Sequence, residues 1–148
     1  MNKIKTVGLL GGGVIGAGWA ARCLLNGLDV VVFDPDSENE KKTTEVLENA
    51  RRAYQKISPS SLPGEGTIRF AGSIGEVGGA ADFVQESLPE REDLKISVLA
   101  ELCQVLDPQV IIGSSTSGLL PSRIQAGIKG PERFVVGHPF NPVYLMPL

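Results

Sequence analysis

Long apolar runs are missing from this chain: its hydrophobic stretches are broken by Gly, Arg or Asp well short of the ~18 residues that a membrane-spanning helix needs. Cysteine is scarce. Cys23 and Cys103 show no metal-ligand spacing and no secretory pattern precedes them, which excludes a disulfide framework and a metal site and reads as two reduced thiols of a cytoplasmic protein. An excess of positive charge is also absent, with 14 Lys and Arg against 17 Asp and Glu, a net charge of -3 and a pI near 5.2. That balance argues against a nucleic-acid or anionic-membrane surface, so the expected partners are small molecules or proteins. Internal repeats and low-complexity tracts are lacking too. The 148 residues, 42% hydrophobic and 21% charged, make one ordinary globular domain.

Glycine is the residue in excess, at 18 of 148 against the usual ~7%. Ile4 to Leu10 is a run of Ile, Val and Leu that leads straight into glycines, as a strand buried on both faces would. A helix follows from Val14 to Asn26, with Ile15, Trp19, Cys23 and Leu24 on its apolar stripe and Gly27 in the place of a left-handed cap. Asp29 to Phe33 is a second strand ending at Asp34, and Ser37 with Glu40 predicts a capping box for a helix reaching Ile57. Residues 58–66, rich in Ser, Pro and Gly, form a loop. Beyond it the alternation resumes with strands at Thr67 to Ala71, Ala81 to Glu86, Val110 to Ser114 and Arg133 to His138, and a helix at Asp93 to Gln104. About six strands alternating with helical segments predict an α/β fold: a Rossmann, doubly wound, mainly parallel sheet with helices on both faces.

The glycines concentrate where Gly11, Gly13 and Gly16 fit G-x-G-x-x-G, after the first strand and at the opening of the first helix. In that context Gly11 permits a tight turn, Gly13 lets a pyrophosphate approach the backbone, and Gly16 lets the helix pack close to the sheet. Gly11, Gly12, Gly13, Val14, Ile15 and Gly16 are therefore the expected cofactor contacts, at a helix N-terminus that suits phosphate. Asp34 closes the second strand about 20 residues beyond, where a carboxylate accepts hydrogen bonds from ribose hydroxyls. Pro35 and Asp36 follow, and with no Arg to hold a 2′-phosphate the cofactor expected is NAD rather than NADP. The one histidine, His138, ends the last strand in GHPFNPVYLMPL. Carboxyl ends of strands are where open α/β sheets bind ligands, and there Ser114 to Ser117 and Asn141 face the same crevice; the bland reading of the hydroxyls is local turn capping.

Together the glycine fingerprint, DFVQESLPER, SSTSGLLPS and GHPFNP resemble the 3-hydroxyacyl-CoA dehydrogenase superfamily over nearly the whole chain. Within it, GVIGAGW, SSTSGLLPS and GHPFNPVYLMPL look most like the members that oxidise L-carnitine, with the crystallin relatives that oxidise L-gulonate also close. The resemblance implies His138 as the catalytic base, Ser117 as the holder of the substrate oxygen, Asn141 beside substrate and nicotinamide, and Glu90 and Lys95 as cofactor contacts. It implies oxidation of a 3-hydroxy acid to its 3-keto acid by NAD, with an imidazole suited to the proton transfer. It further implies a C-terminal helical domain, absent from this single domain of residues 1–148, through which the family forms homodimers. The family's glutamate partner of the histidine falls beyond Leu148, so the chain by itself is expected to bind NAD without completing turnover. Two further readings stay open, a 3-hydroxyacyl-CoA substrate and a non-catalytic NAD-binding module. Only about 30 residues separate Asp34 from Thr67, where acyl-CoA members carry a longer helical insertion. The basic residues Lys41, Lys42, Arg51, Arg52 and Lys56 on the intervening helix read as a solvated face. Phe140, Tyr144 and Trp19 are the candidates for an aromatic face toward a quaternary ammonium, each with packing as its bland alternative.

Overall fold

A computed structural model describes residues 3–57 and 62–146. The elements run β1 (Thr6–Leu10), α1 (Val14–Leu25), β2 (Asp29–Phe33), α2 (Asn39–Ile57), β3 (Ile68–Phe70), α3 (Ile74–Gly78), β4 (Phe83–Glu86), α4 (Glu92–Leu102), β5 (Ile111–Ser114), α5 (Pro121–Gln125) and β6 (Phe134–Val136). The strands form one sheet in the order β3-β2-β1-β4-β5-β6, and every neighbouring pair is parallel. The doubly wound α/β class expected from the alternation is the one observed.

Successive strand residues point to opposite faces, which is why the central strands had to be apolar throughout. Leu9, Val30 and Val32 pack with Leu24, Leu47 and Ala50 on the face covered by α1 and α2. Leu10, Val31, Val84 and Ile112 pack with Val77, Leu99 and Ile124 on the face covered by α3, α4 and α5. α1 ends as predicted: Gly27 takes φ +77° and the Leu28 N–H returns to the Cys23 carbonyl at 3.0 Å. Cys23 and Cys103 are both buried free thiols, and burial pushes the Cys23 thiol up to about 12 despite the neighbouring Arg22. Among the described residues no helix is long and apolar enough to cross a membrane, and no cluster of three or more His, Cys, Asp or Glu is arranged for a metal ion.

Most element ends shift by one or two residues from expectation, and three of these shifts have a clear physical reason. The Ser37 and Glu40 capping box does not form; instead Asp34 Oδ1 accepts the Asp36 N–H at 2.8 Å and Asp36 Oδ1 accepts the Glu38 N–H at 3.0 Å. These carboxylates reach the backbone two residues on and start α2 at Asn39. β1 begins at Thr6 rather than Ile4, where Asp82 Oδ2 takes the N–H groups of Lys5 and Thr6 at 2.9 Å each. β6 stops at Val136, so His138 lies just past the strand, because Pro139 has no N–H with which to continue the ladder. The predicted loop at 58–66 falls partly outside the described residues; 62–66 are irregular, with the Gly66 N–H bonded to the Leu24 carbonyl at 3.0 Å.

Ile112 is fully buried on β5 while Val135 on β6 is half exposed. Ile112→Ala is expected to lower the unfolding free energy by about 2 to 5 kcal/mol in urea titrations, and Val135→Ala by under about 1. Equal losses would contradict the assignment of the core.

Candidate functional site

Strand order reverses between β1 and β4, and their carboxyl ends open a crevice into which the glycine turn, the 87–91 segment and the loops after β5 and β6 all project. The turn is sterically committed. Gly11 takes φ +91°, with space for a Cβ closed by the Ser87 carbonyl at 2.7 Å, and a Cβ on Gly16 would overlap the Gly11 carbonyl oxygen. Gly13, by contrast, faces open space and caps α1 without a side chain, so the N–H groups of Val14, Ile15 and Gly16 stay directed into the crevice. A pyrophosphate fits that bare backbone and the positive end of the helix dipole.

Asp34 stands at the end of β2, where its Oδ2 accepts the Gly12 N–H at 2.7 Å. A cleft of about 170 Å³ beside it is lined by Asp34, Asp36, Ser37, Asn39, Phe70 and Ala71 among others, none of them basic. Ribose hydroxyls fit this donor-poor, carboxylate-lined cleft; a 2′-phosphate does not. Asn39 was not anticipated from the sequence. It is buried, accepts the Thr43 hydroxyl at 3.0 Å, and fills the space a Cβ on Gly12 would need.

The opposite wall is organised by a buried ion pair. Lys95 Nζ lies 2.6 Å from Glu86 Oε1, with the two side chains 1% and 0% exposed. The other Glu86 oxygen accepts the Ser114 hydroxyl, and Lys95 also donates to the Leu88 carbonyl at 3.0 Å. Lys95, expected to touch the cofactor, is thus sealed beneath the crevice and acts on the 86–90 segment. Glu90, 41% exposed, lies 3.4 Å from Lys95. Its Oε1 gathers the Thr116 hydroxyl at 2.6 Å and the N–H groups of Ser117 and Gly118 at 3.0 Å each. Partial burial opposes its charge, yet the bonds from Thr116, Gly118 and Ser117, helped by the Lys95 ammonium, prevail and pull the carboxyl down to about 2.

Ser117 and His138 follow adjacent strands, since Ser114 on β5 pairs with Val136 on β6 and the Gly137 N–H donates to the Ser114 carbonyl at 2.9 Å. Both side chains, and that of Asn141, are exposed on the crevice side. Of the SSTS residues Ser117 is exposed and Ser115 partly so, while Ser114 and Thr116 are buried and hold Glu86 and Glu90. Beneath them the buried Gln85 donates to Ser115 Oγ at 2.8 Å and to the Gly137 carbonyl at 3.4 Å, while Ser115 shares a hydrogen bond of 2.9 Å with Ser87. Gln85 lies within DFVQESLPER but was not singled out there; a polar residue inside an apolar strand was its one individual signal. A wider hollow of about 780 Å³ opens at the amino ends of β4 and β5, but it is lined by Gly78–Phe83, Val105 and Ile111 among others and holds none of these groups.

Comparison with known proteins follows the same outline. Residues 6–148 match the family described as 3-hydroxyacyl-CoA dehydrogenase, NAD binding domain. The L-carnitine dehydrogenase of Mesorhizobium japonicum is 56% identical over 100% of this chain and 41% of its own. The L-carnitine dehydrogenase/betainyl-CoA thioesterase of Ruegeria pomeroyi is 54% identical over 98% of this chain and 30% of its own. The chain therefore spans less than half the length of these curated relatives. Among solved structures, 3-hydroxybutyryl-CoA dehydrogenase of Escherichia coli K12 superposes with a TM-score of 0.81 at 26% identity, over 95% of this chain and 30% of the other.

Two outcomes test the site. Gly13→Val is expected to weaken NAD binding at least about tenfold by calorimetry with an unchanged melting temperature, whereas Gly16→Val lowers the melting temperature itself; the reverse pattern would refute the assignment of the turn. Because the Glu90 carboxyl is held below its ordinary 4.5, the stability it contributes is complete above that value and is lost as pH falls toward about 2. Glu90→Gln should therefore flatten the fall of urea stability with acidification in that window, and an unaltered slope would show that Glu90 does not brace the 116–118 loop.

Proposed function

The chain belongs to the 3-hydroxyacyl-CoA dehydrogenase family through its NAD-binding domain, and from that premise we propose that it works in the cytoplasmic, NAD-dependent oxidation of L-carnitine to its 3-keto acid. The observation that carries this reading is 56% identity, over the whole chain, to a relative named for L-carnitine. Bound NAD supplies the hydride acceptor. His138 accepts the hydroxyl proton on its imidazole, which stands free on the crevice side. Ser117 donates its hydroxyl to the same substrate oxygen, and Glu90, by fixing the Ser117 N–H, keeps that hydroxyl in register. Asn141, on the loop that carries His138, borders the reacting carbon and the nicotinamide.

A trimethylammonium group needs an aromatic face. Phe140 is 63% exposed and stands edge-on to His138, with ring centroids 6.4 Å apart, whereas Trp19 and Tyr144 are half-buried against the α1 and α2 core. Phe140 is therefore the candidate this surface favours. A second reading, oxidation of a 3-hydroxyacyl-CoA, is favoured by the fold shared with the E. coli enzyme. Against it, Lys42 and Arg51 on α2 are committed to Asp36 and Glu65 at 2.5 Å each, which leaves that helix fewer free cations for a CoA phosphate. Exposed Val14, Leu120, Phe140 and Met146 give the crevice side an apolar surface suited to the helical domain and homodimer of the family.

The test is NADH absorbance with the product of the complete reading frame, offered L-carnitine and L-3-hydroxybutyryl-CoA in parallel. Turnover of L-carnitine alone is expected, with His138→Ala lowering kcat by about 10² to 10⁴ and leaving NAD affinity within about twofold. Turnover of the CoA ester alone would establish the second reading, and NAD binding without turnover of either would leave a non-catalytic module.

A further inference from the structure

The loop after β6 has to present His138, Phe140 and Asn141 to solvent while holding them still, and its ends show how. At the near end the Gly137 N–H is bonded to Ser114 and the Gly137 carbonyl to Gln85, so the sheet fixes it. At the far end the loop closes on itself, with the Phe140 N–H on the Met146 carbonyl at 3.1 Å and the Leu145 and Met146 N–H groups on the Pro142 carbonyl at 3.0 and 3.1 Å. That closed turn is docked on two helices from the first half of the chain. Val143, fully buried, sits over Gly18 of α1, where a Cβ would come within 2.8 Å of it. Next to it the Tyr144 carbonyl receives two donors, Tyr54 Oη of α2 at 2.8 Å and Arg22 Nη1 of α1 at 3.4 Å, and Arg22 also donates to Tyr54 Oη at 2.7 Å.

We propose that Tyr54 and Arg22 are positioning residues for the reaction, locking the far end of the His138 to Asn141 loop onto α1 and α2. The inference rests on the reading of His138 as proton acceptor. Three observations favour a positioning role over simple packing. Both donors converge on a single backbone carbonyl six residues beyond His138. Neither side chain lines the cleft beside Asp34, and α1 is the same helix whose N-terminus opens on the crevice at Gly13. One rigid body thereby sets both the cofactor position and the base position, and a loop freed at that end would misplace the imidazole at a distance from any change in NAD binding.

His138 is the only histidine in the chain, so its Cε1 proton gives a single assignable NMR signal. Tyr54→Phe, which keeps the ring packing, and Arg22→Ala are expected to move that signal beyond its line width, while Glu45→Ala on the exposed face of α2 leaves it in place. In the dehydrogenase assay Tyr54→Phe should lower kcat about 10- to 100-fold with NAD affinity within about twofold. An unmoved His138 signal in both variants, at an unchanged melting temperature, would overturn the proposal. So would a loss of kcat, NAD binding and melting temperature together in Tyr54→Phe, since that is what a purely structural residue does. A wild-type protein that oxidises no 3-hydroxy acid would sink the functional reading on its own, and the His138 signal would then still decide whether the anchor exists.

Discussion

The hydrogen bond from the Gly12 N–H to Asp34 Oδ2, 2.7 Å long, joins the two halves of the cofactor site. One carboxylate at the end of β2 sets the height of the glycine turn over β1, and a charge-assisted bond to a backbone donor is among the stronger polar contacts available. The same carboxylate turns the chain toward α2 through the Asp36 N–H and leaves its remaining lone pairs to the cleft. A residue usually described only as a ribose ligand is thus also a structural clamp. Replacing it would disturb the turn as well as the discrimination between cofactors.

The far side of the crevice depends on charge in a different way. Glu86 and Lys95 are sealed from water, and such a pair persists only because every remaining polar atom is answered, here by Ser114, the Leu88 N–H and the Leu88 carbonyl. From that base Glu90 reaches out to the Thr116, Ser117 and Gly118 backbone and side chain. The order runs from a dry ion pair to a half-exposed carboxylate to an exposed serine. Rigidity is therefore passed outward to Ser117, whose hydroxyl is left free.

The doubly wound sheet was legible because a parallel strand covered on both faces has to be apolar without alternation, as Val30 to Val32 and Leu9 to Leu10 are. The places of Gly11, Gly16, Asp34 and His138 in the fold were legible because each lies at or just past a strand end or at the helix opening, positions that sequence order specifies, whereas Ser117 was singled out from SSTS by resemblance. That Lys95 is buried was not legible, because nothing in the spacing of α4 tells which way a lysine points; the placement of Glu86 opposite it shows that. The Ser37 capping box gave way because Asp34 and Asp36 bind the Asp36 and Glu38 N–H groups, so that α2 begins at Asn39 and Ser37 no longer stands directly before its first turn. Gln85, Asn39 and Tyr54 act across 20 to 90 positions of sequence, and contacts of that kind exist only once the sheet has closed.

The central claim is that this crevice is built for NAD, with Asp34 and the carboxylate-lined cleft beside it rejecting a 2′-phosphate. Calorimetric titration of the chain with NAD and with NADP tests it most directly. NAD should bind with a single-site isotherm and NADP at least about 100-fold more weakly, a difference of about 2.7 kcal/mol. Equal affinities, or a preference for NADP, would contradict the account.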